Sequence, residues 1–222
     1  MFEIGEHLVV GCDKSLQKFY DRFSKKKKKK NSVRDIKDGL VVLDKVGDLG
    51  GEKFPGYHNN FVPKKVEVFI WRARKKRLPA LCELDKRGID LNSVQCQLCD
   101  DDIETVEHAL VFCKHVIEIW EKVFDWWGVK LLSSISINEL FQGPSNIAMS
   151  DFGIKLWQAI TWTSGYLIWH NRNQKIFNNK SWNPPIALCE IQLKSFEWVA
   201  KRCREKKIEW HNWIHNPHIF LV

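Results

Sequence analysis

Four residues in the middle of the chain constrain it more than any other feature. Cys96 and Cys99 are separated by two residues, His108 follows after eight more, and Cys113 after a further four. Two thiols on one tight turn reach a single ion at about 2.3 Å, and the four residues between His108 and Cys113 span little more than one helical turn, so both can face the same ion. The pattern C-x2-C-x8-H-x4-C therefore predicts one tetrahedral Zn²⁺ site. Four protein ligands leave no position for water, which describes a structural site and not a hydrolytic one. Two other readings account for parts of it: a redox-active Cys-x-x-Cys pair, and unrelated thiol and imidazole groups in a core. His115 is a substitute ligand on spacing, but Cys113 is the softer donor.

The remaining cysteines do not suggest a secreted framework. The total is seven, an odd number. Met1 to Asp13 carries acids where a signal peptide would carry basic residues. A reducing compartment, nuclear or cytoplasmic, is expected. No apolar run approaches the ~20 residues that span a bilayer, so no membrane partner is expected. The formal net charge is +8, which favours an acidic partner such as RNA or DNA. Six of those charges form one run, Lys25 to Lys30, and setting it aside leaves +2.

Residues 1–57 read as a poorly organised leader, with the lysine run, a small strand at 40–46 and a Gly-rich linker. From Phe61 the pattern becomes helical. Pro63 suits a first helical turn; Val66, Phe69, Ile70 and Ala73 share one face. A short helix through Leu81 and Leu84 ends at Gly88. Asp102 or Thr105 is expected to cap one continuous helix whose apolar stripe runs from Val106 to Trp127, with Gly128 as its stop. Residues 129–149 read as a linker with one short helix. Asp151 is expected to cap a long helix, and Pro184 with Pro185 to open the last one. The fold class expected is mainly α: a small helical zinc-binding module, then a helical C-terminal region over 150–222.

Asp100, Asp101, Asp102, Glu104 and Glu107 surround the ligand loop. They read as a solvated loop whose acids favour the following helix N-terminus, rather than as a catalytic metal pair. No nucleophile with a base, Gly-rich phosphate loop or open metal site is evident, so no catalytic residue is assigned.

An ordered series of motifs carries a family resemblance. It runs Phe61-Val-Pro-Lys-Lys-Val-Glu-Val-Phe-Ile-Trp-Arg72, Arg77-Leu-Pro79, Leu84 to Gly88, the Cys and His ligands, Ile119-Trp120 and Trp126-Trp127. Residues 58–128 resemble the zinc-binding domain at the C-terminal end of plant LINE-type (non-LTR) retrotransposon reverse transcriptases. Trp169-His-Asn-Arg172-Asn173-Gln-Lys-Ile-Phe177 resembles the segment C-terminal to that domain in such proteins. Where family members carry a Trp before the Val-Pro-Lys stretch, this chain has Tyr57, His58 and Asn59, and no Tyr-x-Asp-Asp polymerase signature occurs.

The resemblance implies a non-catalytic piece of an RNA-directed DNA polymerase that grips RNA or target DNA. The expected contact surface is Lys64, Lys65, Arg72, Arg74, Lys75, Lys76 and Arg77, with Trp71 and Phe69 as stacking partners or as core. Binding is expected to be weak and sequence-tolerant. A structural, protein-interaction module using Trp120, Trp126, Trp127, Trp157, Trp162 and Trp169 is the alternative, as is a decayed retroelement remnant.

Overall fold

A computed structural model describes residues 58–129, 135–143 and 149–220. The lysine run and the expected strand at 40–46 lie outside the described residues. The described residues form one compact unit.

The described residues are mainly helical, with no strand beyond an isolated antiparallel bridge between Gln95 and Ile103. In order, the helices are α1 (Lys64–Arg74), α2 (Leu81–Asp85), a π-helical turn (His108–Phe112), α3 (Lys114–Trp126), α4 (Ile137–Gln142), α5 (Asp151–Asn178), α6 (Pro184–Arg202) and α7 (Trp210–His215). A 3-10 turn, Pro217–Phe220, comes last.

α5 organises the unit. It packs against α1, α4, α6 and the π-turn, while α3 and α7 pack against α6. Every residue from Ala159 to Trp169 is buried, as expected of a helix enclosed on all sides. Its buried hydroxyls are satisfied within the helix: Thr161 donates to Trp157 O at 3.1 Å and Ser164 to Ile160 O at 2.8 Å. Gly165 permits the close approach of α4, because a Cβ there would lie 2.8 Å from Phe141 Cζ. Ser150, not Asp151, caps α5, accepting from Gly153 N at 3.1 Å. Asn183 caps α6, accepting from Ile186 N at 3.1 Å, and Pro184 and Pro185 occupy its first turn, where no intrahelical donor is lost.

Two expectations need correction. The helix from Val106 to Trp127 is not continuous: Cys113 has extended backbone, φ −60° and ψ 130°, and separates the π-turn from α3. The helix opened by Pro184 is not the last, since α7 comes after it. α7 is held by Trp213, whose ring packs at 5.9 Å from both Trp126 and Trp127. The Trp126 indole N–H also donates to the Trp213 and Ile214 carbonyls at 3.1 Å. Trp120, Trp127, Trp157, Trp162 and Trp169 are all core residues, and Trp126 is partly buried against the same core.

Candidate metal centre

The ligand loop is built by three local devices. Residues 94–104 fold back on themselves: Cys96 N donates to Asp102 O and Glu104 N to Val94 O, both at 2.8 Å. Within this loop Asp100 N bonds Cys96 O at 2.8 Å, and Asp100 takes the left-handed conformation, φ 57°, which an Asp tolerates better than most residues. Thr105, rather than Asp102, caps the next segment; its hydroxyl accepts from His108 N at 3.0 Å. The third device is the π-turn. In an α-helix, residues five apart point well away from each other. Here Cys113 N donates to His108 O at 2.9 Å, an i→i+5 bond, and the extended backbone at Cys113 turns its side chain back toward His108.

These devices bring Cys96, Cys99, His108 and Cys113 together, buried, with one donor atom from each lying within 4.8 Å of the others. Cys96 Sγ to Cys113 Sγ is 3.9 Å and Cys99 Sγ to His108 Nε2 is 3.4 Å. A tetrahedron with metal–sulfur bonds of about 2.3 Å and metal–nitrogen bonds of about 2.0–2.1 Å has edges of about 3.8 and 3.6 Å. The donor set therefore fits Zn²⁺ in both chemistry and size. The fourth donor is Cys113, and His115 lies outside the cluster.

The surroundings suit a cation. The Cys96 thiol donates toward Cys113; that hydrogen bond, together with burial, raises the Cys96 pKa above the ordinary thiol range. The same bond lowers the Cys113 pKa. His108 Nδ1 faces Asp102 Oδ2 at 3.7 Å, so the imidazole presents Nε2 to the sulfurs with a carboxylate behind it. Asp101 pairs with Lys114 at 2.6 Å, which holds its carboxyl below the usual range.

Glu104 departs from the solvated-loop reading. It is fully buried and clamps three segments. Its carboxylate accepts from Arg172 Nε at 3.0 Å and from Arg172 Nη2, and caps α2 by accepting from Leu81 N at 3.0 Å. Its carbonyl accepts from Cys82 N at 3.1 Å. Arg172 also stacks over Trp169 at 4.7 Å and donates to Asn173 Oδ1 at 2.7 Å. The ligand loop is thus fixed to α5 from inside the core.

Comparison with known families places this loop in context. Residues 52–120 match a family described as zinc-binding in reverse transcriptase. The matched segment contains all four clustered donors and ends inside α3. No curated protein and no solved structure matches the chain.

The basic residues of α1 occupy its outer side. Lys64, Lys65, Lys75, Lys76 and Arg77 are exposed; Arg72 and Arg74 are half-buried. Several are engaged: Lys64 with Glu67 at 2.7 Å, Lys65 over the Tyr166 ring at 5.5 Å, Arg74 with Asn138 at 2.8 Å, and Lys76 with Glu107 at 3.1 Å. Trp71 is 8% exposed, with the Arg77 guanidinium 5.4 Å from its ring centre. Phe69 is core, edge-on to Tyr166 at 5.5 Å. Among the described residues, no helix is long and apolar enough to cross a membrane.

Proposed function

We propose that this chain is a non-catalytic zinc module that binds nucleic acid, of the kind carried by plant LINE-type reverse transcriptases, working in the nucleus or cytoplasm. The observation that carries the reading is the buried Cys96, Cys99, His108 and Cys113 cluster inside the segment that matches a reverse-transcriptase zinc-binding family. Zinc bound there holds the loop, the π-turn and α3 together and performs no chemistry. The exposed cations of α1 supply sequence-independent attraction for phosphates.

Zinc stoichiometry on the purified chain, followed by titration with single-stranded RNA and duplex DNA over a range of salt, tests the reading. One zinc per chain is expected. Each phosphate neutralised on a single strand adds about −0.7 to the slope of log affinity against log salt, so three or four contacts give roughly −2 to −3. Replacing Arg72, Lys75 and Lys76 by Glu should abolish binding with zinc content unchanged. Binding that survives this replacement and disappears only when Lys25 to Lys30 are deleted would refute a role for the folded module.

A further inference from the structure

Phe69 and Trp71 are both buried. Phe112, the residue before the ligand Cys113, is 49% exposed. Residues 108 to 111 of the π-turn are buried, Phe112 is exposed and Glu107, just before the turn, is half-buried. Glu107, the residue before the π-turn, holds Lys76 at 3.1 Å, so the exposed Lys75 and Lys76, which follow α1, lie beside the start of the π-turn. Lys114 stands two residues beyond Phe112.

We propose that Phe112 is a nucleobase-stacking residue, taking one unpaired base of a single strand while the end of α1 meets the adjacent phosphates. This deepens the nucleic-acid reading above and rests on it. An aromatic face accepts any base, so the contact is sequence-tolerant. The π-turn that carries the exposed ring is anchored by Leu110 and Val111 in the core. Asp101 pairs with Lys114 and Glu107 with Lys76, which cancels those charges two by two and leaves the exposed Lys75 and Arg77 to supply the attraction.

The test uses the full zinc-loaded chain and two probes, a 12-nucleotide oligouridine and an abasic phosphodiester strand of the same length, read by fluorescence anisotropy. The parent should prefer the oligouridine. Phe112→Ala should weaken oligouridine binding about 5- to 140-fold, the range of one stacked base, and leave abasic binding and the salt slope unchanged. Phe112→Trp should restore the preference. Unchanged zinc content and helicity exclude a folding defect. If the parent binds oligouridine and Phe112→Ala binds it equally well, this assignment falls while the nucleic-acid reading stands. If the parent binds neither strand, both fall.

Discussion

Arg172→Met is the most informative perturbation of the fold, because it strands a fully buried carboxylate. Glu104 is 0% and Arg172 2% exposed, so no solvent compensates for a missing partner. Removing one member of such a pair costs about 3–5 kcal/mol. Some of this is recovered for Glu104, which keeps the Leu81 N–H at 3.0 Å. Glu104→Ala loses that cap as well and should be the worse single change. Replacing both residues by apolar groups of similar volume removes both charges, so the double variant should be less destabilised than the sum of the two. Denaturant unfolding of the zinc-loaded chain measures all four members of the cycle. For a unit of this size, 3–5 kcal/mol corresponds to a fall in Tm of roughly 6–20 °C. Single variants within about 1 kcal/mol of the parent, or strict additivity, would refute the view that the pair clamps the ligand loop to α5.

Chelation or Cys99→Ser should melt residues 90–115, seen as fast amide exchange there, because structural zinc contributes on the order of 10 kcal/mol at neutral pH; full protection without metal would contradict this. Zinc affinity should rise with pH. The Cys96 thiol is pushed up by its bond to Cys113 and by burial, so at neutral pH it holds a proton that binding must expel, and acid favours the metal-free form; competition with a chelating dye at pH 6 and pH 8 checks the sign. Gly165→Ala should destabilise by about 1–3 kcal/mol in thermal unfolding, since its Cβ would meet Phe141 Cζ at 2.8 Å and that ring is enclosed by core.

The donor set is legible in the sequence because metal chemistry restricts both residue type and spacing. The helices are legible where one face is apolar, as in α1 through Val66, Phe69, Ile70 and Ala73, all of them buried. The break at Cys113 is not. Val106 to Trp127 keeps a helical stripe on both sides of it, and only the placing of Cys113 five positions after His108, with four residues between, signals that a regular helix cannot serve both donors. α7 escapes a sequence reading because its two buried residues, Trp213 and Ile214, give a six-residue helix no periodicity to display. Glu104 reads like its acidic neighbours because composition cannot tell a buried carboxylate from a solvated one. Its partner lies 68 residues away, and only the fold brings the two together. α4, by contrast, carries a local signal: Ser136 and Glu139 form a capping box with bonds of 3.2 and 2.9 Å.

The position of Glu104 also bears on how far the ligand loop is separate from the C-terminal helices. The segment matching the zinc-binding family ends at residue 120, yet Glu104 is neutralised by a residue of α5. Phe69 packs on Tyr166 and Trp169, Ile70 lies beneath Gly165, and Phe124 meets Trp157 edge-on at 5.3 Å. Without α5 these side chains would face water, and a buried acid that caps α2 would lose its counter-charge. A metal held by the four donors would fix the loop locally, and α5 fixes its orientation against α1. A surface made from the end of α1 and the π-turn needs both, because Lys76 and Phe112 come from different segments, joined by the Lys76–Glu107 pair and by the shared core. Zinc alone would hold His108 and Cys113 in place without aligning them to the cations of α1. The C-terminal helices thus contribute to the proposed nucleic-acid face by holding its two halves in register.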